Sequence, residues 1–189
     1  MIDIKANEFE FKSIVKENIH RDGIDSFMDW LGTTDFFTAP SSTKFHGAEP
    51  GGLCAHSIAV YKYLKSFQED ESDESIAIVA LFHDLCKANF YKESKRNVKD
   101  ESGKWIQVPY YEQDQTKSVP LGHGEKSMYL LMKHIQLTDE EACAIRWHMG
   151  FATVEPFYER PALNTALMLS KLVLKLQTAD SAASFWLNT

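Results

Sequence analysis

Cysteine is scarce in this chain: Cys54, Cys86 and Cys143 are the three present in 189 residues. The number is odd, the three lie far apart, and no CxxC pair occurs. That excludes a zinc ribbon or a disulfide framework and points to a reducing compartment. Each thiol has apolar neighbours, so each reads as a buried, unreactive side chain. A basic excess is also missing, since 20 Lys and Arg face 27 Asp and Glu for a net charge of -7. Nothing here neutralises a phosphate backbone, which argues against duplex nucleic acid as a partner. A small anionic substrate stays compatible, because a local site can be positive on an acidic protein. No apolar run reaches the roughly 18 residues that would cross a bilayer. The start, MIDIKANEFEFK, lacks the basic-then-apolar order of a signal peptide. Repeats and low-complexity tracts are absent. The expectation is a cytoplasmic protein with no membrane partner.

What is present fits one domain over residues 1–189, at 44% hydrophobic and 25% charged residues. Residues 8–31 read as one or two helices, with Phe11, Ile14, Val15 and Ile19 at helical spacing and a break at Asp22-Gly23. A loop rich in Gly, Thr, Ser and Pro follows to residue 52. The next helix spans about Leu53 to Phe67, with Val60, Leu64 and Phe67 on one stripe. Ser72 or Asp73 caps another that runs to about Ala88. Its stretch IAIVALFHDLCK is apolar nearly all round, as expected of a helix at the centre of an all-α core. A turn signal at Glu101-Ser102-Gly103 predicts a β-hairpin inserted around residues 95–112. Helical pattern resumes from about Gly124 to Ile135. Thr138 and Glu141 form a capping box for a helix through His148. A last long helix is predicted from Pro161 to about Ala182, with Leu163, Leu167, Val173 and Leu174 facing inward.

The chemistry concentrates in histidine. Of the seven, four sit in distinctive surroundings: His56 in GGLCAHS, His83 in LFHDLCK, His123 in LGHGEKS and His148 in IRWHMG. Asp84 follows His83 directly, and Asp180 lies in LQTADSA on the last helix. A carboxylate within an apolar run is costly unless something coordinates or pairs with it. Imidazoles and carboxylates drawn from several helices suit a divalent transition metal in a bundle core.

This ordered set resembles the HD-domain metal-dependent phosphohydrolase superfamily, whose pattern is a histidine, a His-Asp dyad and a distant aspartate. The matching residues are His56, His83, Asp84 and Asp180, with His123 and His148 resembling the extra ligands of two-metal members. The resemblance implies an all-α HD-domain helical bundle: N-terminal helices and a loop over residues 1–45, and a metal-binding core over 46–184. It implies one or two divalent ions, Mn, Fe, Co, Ni or Zn, with Asp84 bridging when there are two. Lys87, three residues after Asp84, is implied to orient phosphate or protonate the leaving group. His46 is expected to face the substrate. The run Lys95-Arg96-Asn97, with Tyr91 and Trp105 near it, is expected to hold a phosphate and stack a base.

The implied activity is hydrolysis of a phosphate ester, a nucleotide or nucleotide-like small molecule, by metal-activated water or hydroxide. Two alternatives stand beside it: a di-iron HD-type oxygenase, and a nucleotide-binding module without turnover. His20 and His134 are assigned to the surface, Arg146 to a salt bridge, and Glu125 to His123 or to its helix's N-terminus.

Overall fold

The computed structural model describes residues 2–44, 47–114, 116, 119–155 and 157–186, and is helical apart from one hairpin. His46, the expected substrate contact, lies outside the described residues. Among the described residues the α-helices run, in chain order, over Ile4–Asn18 (α1), Ile24–Gly32 (α2), Gly52–Ser66 (α3), Asp73–Phe82 (α4), His123–Met132 (α5), Asp139–Trp147 (α6), Arg160–Leu169 (α7) and Lys171–Trp186 (α8). Strands Tyr91–Lys99 (β1) and Trp105–Gln113 (β2) lie between α4 and α5. No helix among these residues is long and apolar enough to cross a membrane.

Helix α4 is the central element. Every residue from Ile76 to Phe82 is fully buried, as its all-round apolar sequence requires. It packs on α3, α1 and α6, while α8 closes the bundle against α3 and α6. Phe82, at its C-terminal end, meets Phe27 edge-on at 4.9 Å and Phe11 at 5.8 Å. Such edge-to-face rings fix where the helix ends as well as how deep it sits.

α4 stops at Phe82, not at about Ala88. His83 keeps helical dihedrals, but Asp84 turns away to φ -100°, ψ 18°, and Leu85–Lys87 form a 3-10 turn. No glycine or proline marks this break, which packing imposes. The last predicted helix is likewise two. Ser170 is extended at φ -147°, ψ 135°, and its hydroxyl accepts from Leu172 N at 3.2 Å. The interruption resets the helical phase, so Leu163 and Val173 face inward as expected while Leu174 is exposed.

Two glycine-containing turns set the approach of elements to the site. Gly51 caps α3 with φ +82°, and a Cβ on Gly52 would sit 2.0 Å from Gly47 O. A Cβ on Gly124 would sit 2.1 Å from Arg146 O, so α5 starts hard against the end of α6. The glycine permits that contact because it has no side chain.

The hairpin is longer than expected, pairing Tyr91 with Gln113 through Lys99 with Trp105 in antiparallel register. Asp100 Oδ1 accepts from Ser102 N and Lys104 N, and Gly103 takes φ +80°, closing the turn. Its contacts are chiefly between its own strands.

Candidate metal centre

Six side chains from five places in the chain converge at the C-terminal end of α4. His56 comes from α3, His83 and Asp84 from the end of α4, His123 from the first turn of α5, His148 from just past α6, and Asp180 from α8. Asp84 is at the middle. Its Oδ2 lies 3.5 Å from His83 Nε2 and 3.6 Å from His56 Nε2. Its Oδ1 accepts from His123 Nε2 at 2.8 Å and lies 3.7 Å from His148 Nε2. Asp180 Oδ1 stands 3.0 Å from His56 Nε2 and 3.8 Å from His83 Nε2. The donor atoms fall into three overlapping groups, each within 4.8 Å: His56, His83 and Asp84; His83, His148 and Asp180; and Asp84, His123 and His148.

The histidine tautomers follow from the helix ends. His83 Nδ1 donates to Ala80 O at 2.8 Å, and His148 Nδ1 donates to Ile145 O at 2.7 Å. A carbonyl only accepts, so each Nδ1 carries the proton and each neutral ring presents an Nε2 lone pair. These two Nε2 atoms are buried and find no hydrogen-bond partner among the described residues. Leaving a buried acceptor unmade costs about 1–3 kcal/mol, and two such atoms aimed at one carboxylate cluster could hold a metal ion. The donor set fits a divalent transition ion: imidazole Nε2 lone pairs, each ring pinned through Nδ1 to a carbonyl, beside carboxylate oxygens.

Electrostatics agree. Burial pushes the Asp84 carboxyl up, but Lys87 and the surrounding histidines outweigh it and hold it well below the usual carboxylate range. Asp180 is lowered too, against its burial, by His56 and His83. Both are carboxylates in the folded protein. Burial depresses His148, whereas at His83 Asp84 overcomes burial and raises it.

Lys87 meets Asp84 by a route the sequence did not show. In a 3-10 turn residues three apart eclipse each other, and Lys87 Nζ donates to Asp84 Oδ2 at 2.6 Å. Lys95, Arg96 and Asn97 are exposed along β1, and no hydrogen bond or ion pair among the described residues joins them to the cluster. Arg96 instead lies over the Tyr110 ring at 5.6 Å. Arg146 pairs with Glu159 at 2.7 Å and with Glu125, which therefore serves Arg146. His123 Nδ1 has Cys86 Sγ 3.3 Å away. The Cys86 thiol is buried, as its apolar neighbours predict. Cys54 is buried too, and burial pushes its thiol up to about 12. Tyr91, at the base of β1, stands close enough to Lys87 and Asp84 for both charges to act on it.

Neither a curated protein nor a solved structure matches the chain. The HD domain family model matches residues 53–183, a span that contains all six converging residues. With well over half its length matched and the family's histidines and aspartates gathered at one point, the chain belongs to the HD domain family, a superfamily of metal-dependent hydrolase type.

Proposed function

We propose that this protein hydrolyses a phosphate ester, a nucleotide or nucleotide-like small molecule, with one or two divalent metal ions. The observation that carries the reading is the pair of buried, unpartnered Nε2 atoms of His83 and His148 aimed at Asp84. His56, His83 and Asp180 with Asp84 Oδ2 would hold one ion, and His123 and His148 with Asp84 Oδ1 a second. When bound, such an ion supplies Lewis-acid polarisation of a phosphoryl oxygen and acidifies water.

The chain's own residues do the rest. Asp84 offers its two oxygens to two separate sets of histidines, so one rigid carboxylate aligns both. The Nδ1–carbonyl bonds of His83 and His148 hold those rings in one tautomer and orientation. Lys87 keeps its proton: burial works against its ammonium, but Asp84 raises it above the ordinary lysine value. It therefore acts as a fixed positive charge for a phosphoryl oxygen rather than as a ready acid. Two carboxylates are outnumbered once metal is present, so the site draws in a phosphate although the chain is acidic. The Tyr91 phenol is near enough to Lys87 for their charges to act on each other, and its ring would suit a substrate that carries one.

The test is elemental analysis of the purified protein together with a metal-supplemented panel of mono-, di- and cyclic nucleotides. Wild type should retain transition metal and turn over at least one phosphate ester; Asp84→Ala should lose both. Full activity in Asp84→Ala, or a metal-loaded wild type inert across the panel, would overturn the reading.

A further inference from the structure

Lys126 is the most deeply buried lysine among the described residues, at 7% exposure. Lysines are almost never buried so far without a counter-charge. Among the described residues no carboxylate lies within ion-pair range of it; its Nζ donates to Cys86 O at 2.7 Å and stands 4.6 Å from the centre of the Phe90 ring. Three N–H groups thus have one oxygen acceptor between them. Glu125, its neighbour in sequence, is engaged by Arg146, and Asp84 by Lys87 and His123.

This ammonium lines a cavity of about 220 Å³ whose walls include Cys86, Phe90, Val119, Leu121 and His123. Lys126 follows His123 by three residues on α5, so the two share a face about 5–6 Å apart at Cβ. His123 Nε2 touches Asp84. The cavity therefore starts at His123, one of the converging residues, and runs over mostly apolar side chains and Gln113 to Lys126. Its burial pushes the Lys126 ammonium down, against a smaller opposing influence of Cys86, as expected of a charge to which no described residue offers a carboxylate.

We propose that this cavity is a leaving-group subsite, taking a second anionic group of the substrate, a carboxylate or a second phosphate on a short apolar or ring-shaped body, with Lys126 as its counter-ion. This rests on the phosphohydrolase reading and narrows it to substrates carrying two anionic groups. Phe90, Val119 and Leu121 would pack on the body joining them.

The test uses manganese-loaded protein and three ligands differing at one position: phenylphosphonate, 4-carboxyphenylphosphonate and benzene-1,4-bisphosphonate. Wild type should bind at least one of the two ligands with a second anionic group about tenfold or more tighter than phenylphosphonate by calorimetry, the gain expected of a charge-assisted hydrogen bond. Which of the two gains more distinguishes carboxylate from phosphate. In Lys126→Met and Lys126→Gln that ratio should fall close to one. Equal binding of all three ligands by wild type, or a preference that survives both substitutions, would overturn the subsite. Failure of wild type to retain metal or to turn over any ester of the nucleotide panel strikes instead at the hydrolase reading, and the subsite falls with it.

Discussion

Helices α4 and α6 each carry a polar cluster at both ends, and the two clusters are built on opposite plans. At the N-terminal ends, Arg21 donates to Glu141 Oε2 at 2.5 Å and Oε1 at 3.2 Å, to Glu74 Oε2 at 3.0 Å and to Gln136 O at 2.9 Å. Ser75 Oγ and Thr138 N complete Glu141, at 2.8 and 2.9 Å. Every charge there has its partner inside the chain. At the C-terminal ends, His83 and His148 satisfy only their Nδ1 atoms and leave Nε2 open. The helix dipoles suit this division. Carboxylates Glu74 and Glu141 sit in first turns, where the partial charge is positive. A cation bound between His83 and His148 would sit at the negative ends of both helices. The closed cluster is structure, and the open one calls for a ligand.

The largest expected effects separate the two ends. Glu141→Ala strips a fully buried carboxylate from Arg21 and should cost about 3 kcal/mol, as for breaking a buried pair. In a chain of this size that lowers Tm by roughly 6–12 °C. Added manganese should still raise the Tm of this variant, by the amount that ligand binding to the folded state gives, about 2.7 kcal/mol at a hundredfold excess over Kd. Asp84→Ala should abolish that rise. Scanning calorimetry with and without manganese checks both. A metal-induced shift retained in Asp84→Ala, or lost in folded Glu141→Ala, would break the comparison.

The open cluster was largely legible in the sequence, and the closed one was not. Metal ligation limits position to a few residue types, so His56, His83, Asp84, His123, His148 and Asp180 stood out in order. Arg21 and Glu141 are 120 residues apart and are ordinary surface types. Only Glu141's capping box with Thr138 was readable, and it is present. The fold class and the hairpin were readable from periodicity and the Ser-Gly turn. The ends of α4 and α7 were not, because Phe82 and Ser170 are breaks imposed by packing in stretches whose local pattern continues. Leu174 faces out for that reason. The burial of Lys126 was not readable either, because it comes from α5 packing against the 3-10 turn, some 40 residues away in sequence.

A smaller effect separates the ends by pH. Burial pushes the Glu74 carboxyl up, but hydrogen bonds from His20 N and Arg21 outweigh it and hold it below its ordinary value of 4.5. A carboxyl depressed in the folded state contributes stability above its unfolded pKa and loses it as pH falls through the folded one. Wild type should therefore exceed Glu74→Gln by about 1–2 kcal/mol at neutral pH, allowing for partial exposure. The gap should stay constant from pH 8 to 6 and close as pH falls below 4.5. Urea unfolding of both proteins across that range measures it, and a gap independent of pH would mean that Glu74 does not act through its charge.

The smallest effect is the most pointed. Ser75 Oγ donates to Glu141 Oε1, which also accepts from Arg21, so Ser75→Ala leaves that oxygen one partner and should cost only about 1 kcal/mol. Tm should fall by roughly 2–4 °C. Ser75 is in the first turn of α4, eight residues before His83 on the same helix, and the intervening residues from Ile76 onward are rigidly buried. If the two ends work independently, metal content per chain should match wild type. A Ser75→Ala protein that folds but binds metal more weakly would show that α4 transmits a shift from the closed cluster to the open one, and the separation between a structural end and a functional end would not hold.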